Sequence, residues 1–134
     1  MLFKIFDLLT KNKGKRFEKS VSNYLGKKVI IENHGKIYSY GDKEKYTEID
    51  IETPSTAIEV KSGKGSGLKK QLDRYSKVTQ KEPVALAPNM RYGAKCQTRK
   101  YYKVFDSKKE LRDYLLSKGD SKKRRKLIWT NYYY

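Results

Sequence analysis

Residues 48–63 read Glu48-Ile49-Asp50-Ile51-Glu52-Thr53-Pro54-Ser55-Thr56-Ala57-Ile58-Glu59-Val60-Lys61-Ser62-Gly63, and the fold turns on how the two halves of this stretch pair. Up to Glu52, acidic Glu48, Asp50 and Glu52 alternate with Ile49 and Ile51, the period of a strand with one acidic face. Thr53-Pro54-Ser55-Thr56 interrupts the run, and alternation resumes with Ile58 and Val60 on one side and Glu59 and Lys61 on the other. If residues 53–56 form a hairpin turn, Glu52 faces Ala57, Ile51 faces Ile58, Asp50 faces Glu59 and Glu48 faces Lys61. Opposed side chains sit about 5 Å apart, and like charges in that position are destabilising. The Asp50–Glu59 pair therefore calls for compensation, and a hard cation such as Mg2+, with Mn2+ as its substitute, provides it through oxygen ligands. Lys61, two residues past Glu59 on the same face, would reach an attacking water or a phosphate. Carboxylates, a metal and a fixed positive charge are the parts of phosphodiester hydrolysis.

Upstream, Met1 to Leu9 reads as an amphipathic helix, and Asn12-Lys13-Gly14 reads as a break. Phe17, Val21, Tyr24 and Leu25 then recur at helical spacing as far as Gly26. Val29 to Asn33 and Lys36 to Tyr40 read as two strands joined by a His34-Gly35 turn. Downstream, Gly63 to Gly67 is a flexible turn without the spacing of a nucleotide-binding P-loop. Leu68, Leu72, Tyr75 and Val78 mark a helix from Leu68 to about Thr79. Pro83 to Pro88 is a short apolar run suited to a buried strand, Asn89 to Lys100 a basic loop, and Tyr101 to Phe105 a last strand. Ser107 and Glu110 form a capping-box pattern that opens a final helix. The expected class is α/β, a mixed β-sheet flanked by helices, in one domain over 1–118 with a basic segment over 119–134.

Thirty-two Lys and Arg against fifteen Asp and Glu in 134 residues give a net charge of +17, which predicts a polyanionic partner. No apolar run approaches the length of a spanning helix, and the opening segment is too short and too charged for a signal-peptide core, so a cytoplasmic protein with no membrane partner is expected. One cysteine, Cys96, and one histidine, His34, rule out a disulfide framework and a Cys/His zinc site within one chain. Twelve tyrosines interleave with lysines, as in Lys100-Tyr101-Tyr102-Lys103; such rings stack on bases or fill half-buried strands.

Taken together, Glu48-Ile49-Asp50-Ile51 followed by Ala57-Ile58-Glu59-Val60-Lys61-Ser62-Gly63 resembles the signature of the PD-(D/E)XK nuclease superfamily. The resemblance covers roughly Gly14 to Pro88. In that family an acidic residue ends one strand and the next strand carries Glu-x-Lys. Glu18 stands where an upstream helix often supplies a further glutamate, and Gln71-Leu72-Asp73-Arg74-Tyr75 resembles the Gln-x-x-x-Tyr motif of the RecB-like branch. No proline precedes Asp50, and Glu48 and Glu52 flank it, which leaves the ligand assignment open by one strand pair.

The resemblance implies a restriction-endonuclease-like sheet and a Mg2+-dependent endonuclease. Asp50 and Glu59 would bind the metal with the Val60 carbonyl, Lys61 would position or activate water, Glu18 would orient a ligand water or a second metal, and Gln71 would steady the site. Tyr75, on an apolar stripe, is read as core. Lys64, Lys69, Arg91, Lys95, Arg99 and Lys100 are the expected nucleic-acid contacts. Two settings are similar: a bacterial toxin nuclease, which implies an immunity protein, and a phage or archaeal-type Holliday junction resolvase, which implies a homodimer. DNA stands slightly ahead of RNA, because phosphate contacts supply affinity for either. A nucleic-acid-binding module without catalysis is the alternative from another class; it would not need Asp50, Glu59 and Lys61 together.

Overall fold

The computed structural model describes residues 2–41, 44–64 and 67–122, and side chains from residue 13 onward. In chain order the elements are α1 (Leu2–Gly26), β1 (Asn33–Tyr40), β2 (Lys45–Glu52), β3 (Thr56–Val60), α2 (Leu68–Val78), β4 (Glu82–Leu86), α3 (Tyr92–Arg99), β5 (Lys103–Phe105) and α4 (Lys108–Ser117). The five strands lie side by side in sequence order. The first three are antiparallel, and β4 and β5 run parallel to β3. The class is therefore α/β, with a mixed sheet and four helices. No helix among the described residues is long and apolar enough to cross a membrane.

The parallel step from β3 to β4 is a crossover through α2, which a parallel connection requires. It places Glu59 beside Ala85 and Val60 beside Leu86. Each face of the sheet carries an apolar cluster. Val21 and Leu25 of α1 and Leu111 and Leu115 of α4 cover Ile51, Ile58, Val84 and Leu86. Leu68, Leu72 and Tyr75 of α2 cover Ile49, Ala57, Ala85 and Ala87. The helical stripes read from sequence are these buried faces. Each fully buried Leu or Ile removes apolar area worth about 1.5–3 kcal/mol from water, which holds the helices to the strands.

Four local expectations are corrected. The first helix runs through Asn12-Lys13-Gly14 without a break; one glycine inside a long helix costs only about 1 kcal/mol, which the packing of Val21 and Leu25 outweighs. Of the strand expected over Val29 to Asn33 only Asn33 belongs to a strand, as the first residue of β1, since Val29 makes only an isolated bridge to Ser121. The chain does not turn at His34-Gly35: β1 passes straight through, with Gly35 at φ +55°. The basic loop is in large part α3, whose buried residues are Lys95 and Thr98. A helix that buries polar side chains carries no apolar stripe to betray it.

Ser107 caps α4, its Oγ accepting from the Glu110 N–H at 3.2 Å, while the Glu110 carboxylate accepts from the N–H of Asp106 rather than of Ser107. Past α4, residues 119–122 pack back on the domain. The Ile30 N–H donates to the Asp120 carbonyl, and the buried Asp120 carboxylate accepts from the hydroxyls of Thr53 and Ser55, each at 2.7 Å. The rest of the basic segment, with Leu127, Ile128 and Trp129, lies outside the described residues.

Candidate active site

The β2–β3 hairpin has the register that the four-residue turn dictates, with Glu52 opposite Ala57 and Ile51 opposite Ile58. There the ladder stops. Asp50 and Glu59 are not a ladder pair, nor are Glu48 and Lys61; instead an Asp50 carboxylate oxygen accepts the Val60 N–H at 2.9 Å. The side chain occupies the place of a strand partner, which turns it edge-on to the sheet between β2 and β3.

A change of phase in β2 makes this possible. Ile49 packs in the α2 cluster and Ile51 in the α1/α4 cluster, although residues two apart on a regular strand share a face. Asp50 sits where the alternation switches. Its neighbour across the β1–β2 ladder is Gly35, which lies between the pairs His34–Ile51 and Lys36–Ile49. Its left-handed backbone lets β1 follow the switch without losing register. A side chain at Gly35 would also place its Cβ 3.0 Å from Glu48 Oε1.

The consequence is a gathering of carboxylates that no single strand face would bring together. Glu18 of α1 and Glu48 and Asp50 of β2 present oxygens within 4.8 Å of one another. All three line a cleft of about 590 Å3 with Glu59, Val60, Lys61, Lys64, Gln71 and Lys15. Burial, reinforced by Asp50 and Glu48, raises the Glu18 pKa from 4.5 to about 7, against the opposing pull of Lys15. Desolvation raises the proton affinity of Asp50 and of Glu59, and in Glu59 the Asp50 charge adds to it. Glu18 and Asp50, which resist ionising, stand with Glu48 as three hard oxygen donors, a donor set suited to a divalent cation.

Glu59 is held from behind. The buried Tyr75 hydroxyl donates to its carboxylate and accepts from the Asp50 N–H at 3.3 Å. Lys61 Nζ stands 4.0 Å from the other Glu59 oxygen, with about a third of its side chain exposed to the cleft. Gln71 donates to Thr47 Oγ1 at 3.1 Å and accepts from Arg74 at 2.8 Å, so its amide is fixed at the rim.

The structure thus brings Glu18, Asp50, Glu59, Val60, Lys61, Lys64 and Gln71 to one cleft. Glu59 stands outside the group of three carboxylates, whose third member is Glu48. Two further residues join this group beyond those expected to form it. Glu48 was legible only as a flanking acid, and Tyr75 is core by burial but site by its hydroxyl; the Gln-x-x-x-Tyr pattern was the signal for it. Glu52, the other flanking acid, is buried elsewhere, accepting from the Tyr38 hydroxyl and paired with Lys81 at 3.4 Å.

The remaining basic residues are not gathered there. Lys95 is buried and bonded to Asp106, and Arg99 donates to the Val104 carbonyl and to Asp106, so both serve the α3–β5 connection rather than standing free for phosphate. Lys69 pairs with Asp73 at 3.0 Å and lies over the Tyr101 ring, whereas Arg91 and Lys100 are exposed. Family models, curated proteins and solved structures yield no match to the chain.

Proposed function

We propose that this chain is a divalent-metal-dependent nuclease of the PD-(D/E)XK type. The observation that carries the reading is the meeting of Glu18, Glu48 and Asp50 in one cleft that also holds Glu59 and Lys61. In a chain of net charge +17, an acidic centre of half-buried Glu18 and Asp50, exposed Glu48 and buried Glu59 runs against the overall composition, and a bound cation would account for it.

Glu18, Glu48 and Asp50 would hold Mg2+ or Mn2+. The bound ion supplies Lewis acidity toward a phosphate oxygen and lowers the pKa of a coordinated water. The Val60 N–H fixes one Asp50 oxygen, and the Asp50 carboxyl is also in hydrogen-bonding contact with that of Glu59. Lys61 places a positive charge where negative charge builds on the phosphate during attack, and Glu59 holds that ammonium within reach. Tyr75 keeps Glu59 in place, and Gln71 closes the rim beside Thr47. In the reaction the water oxygen bonds to phosphorus, the bond to the leaving oxygen breaks, and the leaving oxygen ends protonated. Either DNA or RNA presents that group.

The test is a cleavage assay on supercoiled plasmid, a four-way junction and bulk tRNA with Mg2+, Mn2+ or EDTA. Wild type is compared with Asp50→Asn and Lys61→Ala. We expect metal-dependent cutting that falls by at least about 100-fold in each variant, the scale of removing a group that acts at the reacting centre. Binding without cutting in either metal, or cutting undiminished in both variants, would overturn the reading.

A further inference from the structure

We infer that a nucleic-acid backbone leaves the acidic cleft across α1 and seats its phosphates in a second, basic cleft between α1 and α4. The inference rests on the nuclease reading for the kind of polymer, but its evidence is separate. The cleft has a volume of about 490 Å3 and is lined by Arg16, Lys19, Lys27 and Lys108, with Ser20 and Tyr24 between them and no carboxylate.

These cations differ from many others in the chain. Lys69, Lys81, Lys95, Arg99, Lys109 and Lys118 each have a carboxylate within 4.0 Å. Arg16, Lys19, Lys27 and Lys108 have none among the described residues. Lys108 Nζ is bonded instead to Ser20 Oγ at 2.6 Å, and it and the Arg112 guanidinium lie over the Tyr24 ring at 6.0 and 5.0 Å. The wall of the cleft therefore gathers positive charge that no carboxylate among the described residues pairs with, and such a concavity raises the local concentration of a polyanion.

Position on the helix connects this cleft to the acidic centre. At about 100° per residue, Arg16 projects roughly 160° around α1 from Glu18 with Lys19 between the two at about 100°, and Lys27 follows directly on Gly26, the last residue of the helix. A depression lined by Lys15, Glu18, Lys19, Asn23 and Glu48 bridges the two, sharing Glu18 and Glu48 with the acidic cleft and Lys19 and Asn23 with the basic one. From Arg16 to Gly26 the helix rises about 15 Å, the axial length of about four phosphate steps of one strand. A substrate whose scissile phosphate lies at Glu18, Glu48 and Asp50 thus meets Lys15 and Lys19 on its way to the basic cleft.

The test measures binding of fluorescent duplex DNA, single-stranded DNA and RNA in EDTA as a function of salt. Wild type is compared with the triple variant Lys19→Gln, Lys27→Gln, Lys108→Gln and with a charge-matched control, Lys45→Gln, Lys70→Gln, Lys77→Gln. If the three lysines each contact a phosphate, the slope of log K against log salt falls by about 2.7 on duplex or about 2.1 on single strands in the triple variant, and by much less in the control. The polymer with the largest change is the one that follows the path. Equal losses in both triples would reduce the effect to net charge, and an unchanged slope, or no binding by wild type, would also overturn the proposal. Parallel cleavage assays in Mg2+ keep the two readings apart: wild type that binds with the expected slopes but never cuts refutes the nuclease and leaves the path standing.

Discussion

Glu18 shows what one carboxyl costs the fold and what it offers in return. Its pKa is raised from 4.5 to about 7, first by burial and then by Asp50 and Glu48. An acid whose folded pKa is raised binds its proton more tightly in the folded chain than in the unfolded one. Its stabilising contribution is therefore fully present below about 4.5 and is lost as the pH climbs to about 7. Asp50 and Glu59 are displaced in the same direction by burial, so they add to the same slope. Asp73 and Asp106, whose pKa values are lowered by their hydrogen-bond partners, act below 3.8 and leave this window alone. Thermal unfolding of the metal-free protein should thus move to lower temperature between about pH 5 and pH 7, Glu18→Gln should flatten that decline, and Mg2+ should restore stability mainly at the upper end. Differential scanning calorimetry across that range checks it; a midpoint that climbs with pH would mean that the acids are not strained by one another.

At the scale of elements, the strand pairing of the hairpin was legible because a turn of four residues leaves only one register, and Ile51–Ile58 and Glu52–Ala57 follow from it. The end of that pairing was not legible. Period-two alternation assumes a regular strand, and the switch at Asp50 depends on Gly35, which is fifteen residues away in the numbering and adjacent only after β1 and β2 have paired. The same limit hid Tyr75: helical spacing correctly makes it a buried residue, but only the fold shows which carboxylate its hydroxyl meets. Gly35→Ala probes the device directly. A left-handed backbone costs an L-residue about 1–2 kcal/mol, and the new methyl would press on Glu48 Oε1. Urea unfolding should show a loss of about that size, with a smaller Mg2+-induced thermal shift than wild type because Glu48 is displaced from Glu18 and Asp50. Unaltered stability and an unaltered shift together would show that β1 does not need glycine there.

For the molecule as a whole, a sheet whose strands follow one another in sequence order has no late strand to lock its two ends together. The first and last helices do this in part, because Val21 and Leu25 of α1 and Leu111 and Leu115 of α4 share one cluster. Asp120 completes the closure: its carboxylate, hardly exposed, binds Thr53 and Ser55 in the β2–β3 turn, sixty-seven and sixty-five residues earlier. Thr53 in turn bonds Thr56 through both its hydroxyl and its N–H, so the far end of the chain fixes the turn that sets the hairpin's register. Composition marks the region from Gly119 only as basic, and a lone aspartate among lysines gives no hint of a tie over that distance. Asp120→Ala removes two hydrogen bonds to a charged acceptor and leaves the buried Thr53 hydroxyl with fewer partners, a loss of about 2–4 kcal/mol. Because the tie acts on the whole fold, the denaturation midpoint should fall while the urea m-value stays that of the wild type, and a truncation after residue 118 should fall at least as far. A midpoint within experimental error of wild type for Asp120→Ala would place the closure of the domain in the α1–α4 packing alone.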